Sequence, residues 1–343
     1  NLGIYATNFG YGVGSNTYNG NFLMGFPDNI PDPALRGSLI TSYEGGIELR
    51  FMKNRFGLNV NYYNEKMDDQ PVSISVAGES GITSKTVNAA SVKREGLEFT
   101  FDGKLINNKN FSWTVTKTVG WLINNPVTKI IEGQDRIQPS GWIGSFGTRY
   151  ASAYQVLDQD WGQLIGGGFV YGENNQPMID PNTGLYATGD PNYQWGSIVP
   201  KLTGGFQSLM TYKNINLNIS LDYQSGGHFF SLTESWGMYS GLLDYTAENN
   251  DRGVNVRDPL SEGGGVHVTG VSSVDGKTPI DMYVDGFTYF HQFYGSKIAA
   301  PFIHKLSYIK LREVSLGYNL PVKNWSFTNK WLKGATVSAV ASS

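Results

Sequence analysis

The segment Ile215-Asn-Leu-Asn-Ile-Ser-Leu-Asp-Tyr223 alternates apolar and polar side chains without interruption. Successive side chains of a β-strand point to opposite faces of a sheet, so this alternation predicts a strand with one apolar and one polar face. The segment from Arg55 to Asn64 repeats the pattern, with apolar or aromatic side chains at Phe56, Leu58, Val60 and Tyr62. Strands of this two-faced kind therefore decide the fold.

Eight segments carry the pattern and are predicted to be strands. They cover about Leu39–Met52, Arg55–Lys66, Ser91–Leu105, Phe111–Leu122, Pro200–Tyr212, Ile215–Phe229, Lys305–Asn319 and a segment from Gly334 onward. Lys117 falls on the apolar side of the fourth strand, which either snorkelling of the side chain or a bulge would accommodate. In the seventh strand the phase changes at Arg312–Glu313, and a bulge there would turn both charged side chains to the polar face.

The connections between these strands are unequal. Short turns are predicted at Lys53–Asn54, Asn107–Asn108 and Lys213–Asn214, whereas long loops cover about 67–90, 123–199 and 230–304. Outer-membrane barrels have short periplasmic turns and long extracellular loops. A soluble antiparallel sandwich is the alternative, but its connections are usually short at both ends. The predicted fold class is therefore all-β, a transmembrane antiparallel β-barrel.

Composition narrows the functional classes. The 343 residues carry a net charge of −3, no cysteine, 20 tyrosines, 18 phenylalanines and 8 tryptophans. The lack of cysteine excludes disulfides, thiol catalysis and thiolate metal sites, and the lack of a basic block argues against a nucleic-acid partner. The sequence contains no apolar run of about eighteen residues, so no membrane-spanning helix is predicted. The start at Asn1 shows no signal-peptide pattern, so we expect a mature chain or an internal fragment.

Several motifs resemble one family. Tyr308-Ile-Lys-Leu-Arg-Glu-Val-Ser-Leu-Gly-Tyr-Asn-Leu-Pro321 closely resembles a signature of the SusC/RagA family, the TonB-linked outer-membrane transporters of Bacteroidetes. Further similar motifs follow in the family's order: Tyr43-Glu-Gly-Gly-Ile-Glu-Leu49, Asn54-Arg-Phe-Gly-Leu-Asn-Val-Asn-Tyr-Tyr63, Asn88-Ala-Ala-Ser-Val-Lys-Arg-Glu-Gly-Leu-Glu98, Pro200-Lys-Leu-Thr-Gly-Gly-Phe206 and Gly226–Gly227. One departure is Arg36–Gly37, where the family often has Trp-Glu.

This resemblance implies that residues 1–343 form a C-terminal part of a plugged barrel of about 22 strands. The plug, the TonB box, the signal peptide and the last strands are then expected outside the chain. The implied function is TonB-dependent active import of oligosaccharides or peptides across the outer membrane. The implied partners are a SusD-like surface lipoprotein as lid, TonB through the missing N-terminal part, and outer-membrane lipid. The implied location is the cell outer membrane, crossed many times.

Other functions remain open at this stage. A passive porin-like channel and a surface glycan-binding β-protein are the alternatives, and the cargo is not readable from the loops. A barrel hydrolase would need more than His304 and Ser307, because that pair lacks a third orienting group. No catalytic residue and no enzymatic activity are therefore predicted.

Aromatic side chains in the long loops are the candidate contacts for a ligand or partner. Aromatic planes stack on the apolar faces of sugar rings and grip peptide side chains, although they also pack loops together. The candidates are Trp142, Trp161, Tyr193, Trp195, Trp236 and Tyr239. Arg312 and Glu313 are predicted to face the lumen or the plug.

A metal site is not predicted. The third long loop gathers eight carboxylates, and calcium could bind among them because it requires several oxygen ligands. These carboxylates are Asp244, Glu248, Asp251, Asp258, Glu262, Asp275, Asp281 and Asp285. They lack EF-hand spacing, and a solvated loop explains the charges equally well.

Overall fold

The computed structural model describes residues 10–138, 151–296, 298–325 and 331–343. Its main feature is a sheet in which eight long strands neighbour each other in chain order. These wall strands are β1 (Leu39–Phe51), β2 (Phe56–Ser75), β3 (Ser84–Asn107), β4 (Phe111–Asn124), β5 (Leu202–Tyr212), β6 (Ile215–Ser225), β7 (Tyr308–Leu320) and β8 (Ala335–Ser342). All eight coincide with predicted strands, and neighbouring wall strands are antiparallel. The all-β antiparallel prediction is confirmed.

Three short turns join wall strands at one end of the sheet. The turn between β1 and β2 carries left-handed residues at Met52, Lys53 and Asn54, with φ of 53°, 58° and 61°. At Asn108 the side-chain oxygen accepts hydrogen bonds from two later backbone amides, and Lys213 adopts a φ of 53° between β5 and β6. Short polar side chains and left-handed backbone are the usual means of reversing a chain in so few residues. The predicted turn positions are confirmed.

The first predicted long loop is mostly strand and must be corrected. β2 continues to Ser75 and β3 begins at Ser84, so only residues 76–83 connect them, with a 3₁₀ turn at Gly78–Ser80. Between Met67 and Pro71 the pairing register shifts, and Asp69 has a φ of 58°. A bulge interrupts the period of two, so the alternation in the sequence does not reveal the outer half of the hairpin.

The wall has one apolar and one polar face. Across β6 and β7, Leu217 pairs with Leu316 and Ile219 with Val314. Large apolar side chains on this face are exposed, including Ile47, Leu49, Trp121, Tyr212, Ile309, Leu316 and Val337. Within the described ranges, Leu217 and Ile219 belong to none of the hydrophobic cores. No second protein layer therefore covers the apolar face here.

The alternation in the sequence is broken at two positions, and only one of them is a bulge in the structure. The register between β6 and β7 shifts between Ser220 and Leu221, leaving Arg312 as the extra residue of a bulge. Pairing of β4 continues without a shift at Lys117, which lies between Phe101 and Phe206 on the apolar face. The bulge alternative at Lys117 is therefore wrong.

The two longer connections are folded rather than irregular. They contain α1 (Leu232–Tyr239) and α2 (Gly286–Ser296), along with short strands and 3₁₀ turns. The short strands outside the wall are Gly12–Tyr18, Asn21–Gly25, Asn29–Pro31, Val127–Lys129, Arg136–Ile137, Ala151–Val156, Gln163–Gly166, Met178–Ile179, Tyr193–Ser197, His228–Phe230, Val266–Ser272, Pro279–Val284 and Ile303–Lys305. No helix in the described segments is long and apolar enough to cross a membrane.

In the part of the chain that the structure describes, the hydrophobic cores lie at the loop end. The largest includes Phe230, Met238, Phe290, Phe293, Ile298 and Phe302, and so packs α1 against α2. A second joins Val72 and Val92 of β2 and β3 to Val127 and Ile137 of the following connection. A third contains Ile179, Val268 and Val284. These cores give the loops a fixed shape over the loop-side ends of the strands.

Candidate functional site

The polar face of the wall is the first part of the candidate site. Charged side chains lie at its two sides, on β1–β3 and on β6–β7. The centre carries hydroxyl and amide side chains: Ser112, Thr114, Thr116 and Thr118 of β4, Thr203, Gln207 and Thr211 of β5, and Asn216, Asn218 and Ser220 of β6. Such groups donate and accept hydrogen bonds without imposing a net charge. The centre of the polar face is therefore uncharged, whereas its two sides carry charges.

On the β1–β3 side an ion pair crosses the intervening strand. Arg50 Nη1 lies 3.1 Å and 2.9 Å from the two carboxylate oxygens of Asp102. Gly57 of β2 is the cross-strand partner of both residues. A Cβ at position 57 would overlap Arg50 Nη1 and Asp102 Oδ1. Glycine therefore leaves the space in which the two side chains meet, and a larger residue would displace them.

On the other side, the bulge brings a second ion pair onto the polar face. Arg312 Nε and Nη2 each donate to one oxygen of Asp222, both at 2.7 Å. Tyr308 Oη donates to the same carboxylate at 3.2 Å, and Glu313 accepts from Asn218 Nδ2 at 3.2 Å. A bidentate pair is a geometrically specific contact, so it fixes the bulged segment of β7 to β6.

The connection after β4 folds back over the polar face and encloses a cavity. The cavity has a volume of about 200 Å³ and is lined by Glu65, Met67, Gln70, Val92, Arg94, Gln155 and Trp161. Glu65 and Arg94 are cross-strand partners on the wall, as are Met67 and Val92. Gln155 and Trp161 come from the connection. One predicted contact residue, Trp161, therefore lies against the wall itself.

Several hydrogen bonds fix the backbone around Trp161. Its amide donates to the carbonyl of Asn125 at 2.7 Å, and its carbonyl accepts from Ser197 Oγ at 2.8 Å. Gly162 follows with a φ of 77°, and a Cβ there would press on Ile198. The indole packs against the core formed by β2, β3 and Val127. The ring is therefore held in one place over the polar face.

The other predicted aromatic contact residues that the structure describes form two pairs elsewhere in the loops. The rings of Tyr193 and Trp195 are 4.6 Å apart, and Trp195 packs against the largest core. Trp236 and Tyr239 of α1 lie 5.7 Å apart, with Tyr239 4.4 Å from His291 of α2. Trp236 is 47% exposed. Trp142 lies outside the described residues.

A second cavity of about 500 Å³ opens beside Tyr239. Its lining combines aromatic rings with charged groups: Met238, Arg257, Asp285, Phe287, Phe290 and His291 are among the residues that face it. Arg257 is already bonded to Thr246 and to the carbonyl of Gly241. This guanidinium therefore stabilises the loop from within.

The carboxylates of the third long loop are largely engaged with neighbouring groups. Asp275 accepts from the hydroxyl of Thr278 and from the amides of Thr278 and Lys277, and these bonds lower its pKa to about 2. Asp251 and Asp281 each lie 2.8 Å from a ring nitrogen of His267. Across the part of the chain that the structure describes, no group of three such side chains is arranged to hold a metal ion.

His267 is a titratable position that sequence reasoning missed. Hydrogen bonding to Asp281 and the charge of Asp251 raise the pKa of His267, while Tyr283 and His267 lower the pKa of Asp251. The imidazole also stacks on Tyr283, with ring centroids 4.6 Å apart. The pairing of Val266–Ser272 with Pro279–Val284 brings Asp281 and Tyr283 to His267, and Asp251 contacts it from the preceding loop.

The residues considered for hydrolysis each have another partner. His304 pairs with Glu234 of α1, whereas Ser307 Oγ accepts from the amide of Gly226 at 3.0 Å. A serine nucleophile needs a base within hydrogen-bond reach. The Ser307 bond instead ties the start of β7 to the end of β6, and the His304 pair ties the segment before β7 to α1.

Comparison with known proteins identifies related chains. A family model described as "TonB dependent receptor-like, beta-barrel" matches residues 1–328. TonB-dependent receptor P3 of Formosa agariphila is 24% identical over 331 residues, covering 90% of this chain and 29% of that protein. TonB-dependent receptor SusC of Bacteroides thetaiotaomicron is 23% identical over 337 residues, covering 94% of this chain and 29% of that protein. The chain thus spans about three tenths of these relatives.

A solved structure has the same fold. The structure of the RagAB peptide transporter aligns with a TM-score of 0.66 and 15% identity, covering 98% of this chain and 35% of that chain. At this identity the likeness concerns the fold, and it extends over the wall strands and the loop structures.

Proposed function

Since this chain belongs to the TonB-dependent receptor-like β-barrel family, we propose that it supplies barrel wall and extracellular loops to an active importer in the outer membrane. The fold is that of a SusC/RagA-type transporter barrel. The transported cargo is an oligosaccharide or a peptide. The wall crosses the membrane several times through β1–β8.

One observation supports this proposal most strongly: the wall has an exposed apolar face and a polar face that carries charges. Ile309 and Val337 are 81% and 62% exposed on the apolar side. Burying such a surface in hydrocarbon is favourable, and sheet hydrogen bonds satisfy the backbone there. The ion pairs at Arg50 and Arg312 would be costly on that side, whereas they lie on the side that a barrel encloses.

The proposed partners follow from the two ends of the sheet. We assign the contact with TonB and the plug to regions that this chain does not cover, since it spans about three tenths of its relatives. A SusD-like lipoprotein is the proposed lid on the loop side. The exposed Trp236 and its neighbour Tyr239 are the proposed contacts for it, because aromatic side chains are enriched in protein interfaces.

Uptake by intact cells tests the proposal. A strain lacking the gene should lose growth on one complex nutrient, and the complete gene should restore it. Disrupting TonB should abolish that restored uptake, because active import needs energy from the inner membrane. Uptake that continues at the same rate without TonB would instead establish the passive-channel alternative.

A catalytic contribution is checked in the same strain. The variant Ser307→Ala should import as well as the unchanged protein, and purified protein should not hydrolyse acyl esters. Ester hydrolysis that disappears with Ser307→Ala would establish the enzyme alternative.

A further inference from the structure

We infer that a group of lysines on the lipid-facing side of β2 and β3 binds the phosphate groups of an anionic lipid in the outer leaflet. This lysine cluster consists of Lys66 of β2, Lys93 of β3 and Lys129 of the connection after β4. The inference rests on the proposed placement of the wall in the outer membrane. It goes beyond the import function, because it concerns the lipid that surrounds the barrel.

The height of the apolar face locates the loop-side surface of the bilayer. On β4 this face begins at Phe111 and ends at Trp121, ten positions later. Ten residues extend about 33 Å along a strand, and a strand tilted by about 40° rises about 25 Å over that length. Outer-membrane barrels have an apolar band of about this height, flanked by aromatic side chains. Trp121, which lies in one cross-strand row with Leu97 and Tyr62, therefore marks the boundary.

The lysines lie just beyond this boundary. The pairing of β2 with β3 runs without a shift from Tyr62–Leu97 to Lys66–Lys93, so all four side chains share the outer face. Four residues add about 10 Å of height in a strand of this tilt. Lipid headgroups adjoin the hydrocarbon core at this level, and a lysine side chain is long enough to reach into them. The ammonium groups therefore lie at headgroup depth on the side that meets lipid.

Positive charge accumulates at this point of the wall. Lys66 and Lys93 are direct cross-strand partners, and like charges in that position destabilise a sheet. Lys129 is exposed and pairs with Ser91, which precedes Lys93 by two residues. Its charge acts on Asp68, the ion-pair partner of Lys66. An external anion bound between the lysines would remove the repulsion.

Two carboxylates belong to the same surface and neutralise part of this charge. Lys66 Nζ lies 3.0 Å from Asp68 Oδ2, and Lys93 Nζ lies 3.0 Å from Glu95 Oε2. Glu95 Oε1 accepts from Tyr62 Oη at 2.8 Å, so this carboxylate is engaged on both oxygens. Three lysines face two carboxylates, which leaves a net positive charge. Each ammonium has three N–H donors, and one carboxylate bond leaves the others for phosphate oxygens.

The surface next to the cluster favours a lipid over a soluble anion. Toward the bilayer, the outer face continues with the rows Tyr62–Leu97 and Val60–Phe99. Acyl chains pack on such apolar side chains, while the phosphates of the same molecule reach the lysines. A free phosphate ion would make only the second contact. The site therefore fits a phosphorylated lipid whose chains lie against the wall.

Lipid binding by the complete gene product in non-ionic detergent tests the inference. Native mass spectrometry counts the bound lipids and, by titration, gives the affinity of the tightest site. The probes are lipid A and lipid A whose phosphates have been removed, which share the same acyl chains. We expect lipid A to bind more tightly, and the double variant Lys66→Gln, Lys93→Gln should weaken it about tenfold at low ionic strength. Asp68→Asn should strengthen it, because a competing negative charge is removed.

A second pair of lysines gives a matched control. Lys53 and Lys109 lie in short turns at the opposite end of the wall. The double variant Lys53→Gln, Lys109→Gln removes the same charge and should leave lipid A binding unchanged. Gel mobility of unheated protein confirms that each variant is folded.

Any of four results would overturn the inference: equal binding of the two forms of lipid A, binding that Lys66→Gln, Lys93→Gln leaves intact, binding that Asp68→Asn does not strengthen, or an equal loss in the turn-side control. The last would mean that the net charge of the protein attracts the lipid. These results leave the import function standing, which TonB-dependent uptake by cells tests. Uptake that does not need TonB, with lipid A binding retained, would overturn the import function and leave the lysine cluster standing.

Discussion

Arg312 and Asp222 show how a charged residue is accommodated next to an apolar face. Their side chains are 44% and 28% exposed, so solvent screens much of the attraction between them. The bulge places Arg312 opposite the Asp222 carboxylate, where the two side chains form a bidentate contact. A regular strand would not bring them into this geometry. The pair therefore serves mainly to hold the local shape of β7.

A double-mutant cycle measures this pair. Arg312→Gln, Asp222→Asn and the double variant should give a small favourable coupling in urea unfolding from lipid vesicles, because the pair is partly exposed and solvent screens it. A coupling indistinguishable from zero would show that backbone pairing alone maintains the bulge.

His267 makes the third long loop sensitive to pH. Its raised pKa means that the folded loop binds the proton more tightly than the unfolded chain, whose imidazole titrates near 6.5. The stabilisation is therefore complete below about that pH and is lost as pH rises through the folded-state pKa. Asp251 remains ionised throughout this window, because its pKa is lowered.

Hydrogen exchange checks this direction. After correction for the intrinsic rate, amides of Val266–Ser272 should be better protected at pH 5.5 than at pH 8.5. His267→Gln should remove the difference, and His291→Gln should keep it. Equal protection at both pH values in the unchanged protein would contradict the assignment.

At the scale of single strands, β6 offers a direct test of the two faces. Ile219→Lys places a charge on the apolar face and should cost about 2–4 kcal/mol of unfolding free energy in a bilayer, because the ammonium loses its hydration there. Ser220→Lys, one residue on, faces the polar side opposite Glu313 and should cost much less. Urea unfolding in lipid vesicles measures both, and equal costs would show that the faces are misassigned.

Strand segments that keep a period of two could be predicted from the sequence, and in β7 such segments lie on both sides of the bulge. β6 has such a pattern over its whole apolar face. The outer half of β2 does not, because the bulge around Asp69 interrupts the alternation and Pro71, a residue depleted in strands, follows it. Pairing with β3 stabilises this half regardless of its own pattern, so only tertiary structure reveals it.

The candidate site was predictable only in part. Trp161 was recognisable because a tryptophan in a long loop is a common contact residue. Gln155 and the Glu65–Arg94 pair were not, because no local pattern places them around one cavity. His267 was overlooked for the same reason: its carboxylate partners are 16 and 14 residues away in the chain. Such sites arise from contacts between distant segments, which periodicity does not encode.

At the scale of the whole molecule, the exposed apolar face predicts how the complete gene product behaves in solution. It should fractionate with the outer membrane, enter the detergent phase on phase separation and precipitate when detergent is removed, because that face requires hydrocarbon. A surface glycan-binding β-protein would remain in the aqueous phase. Detergent-phase partitioning followed by immunoblotting decides between them.

Among the described residues the three hydrophobic cores all lie at the loop end, and this has an evolutionary consequence. The folded connections, which we propose contact the cargo, and the wall strands, which contact the bilayer, are therefore stabilised by different interactions. Substitutions can therefore accumulate in the folded connections while the wall strands stay intact. We therefore expect that the folded connections of one transporter can be transferred to the wall strands of another. The hybrid should take up the nutrient of the transporter that supplied the connections.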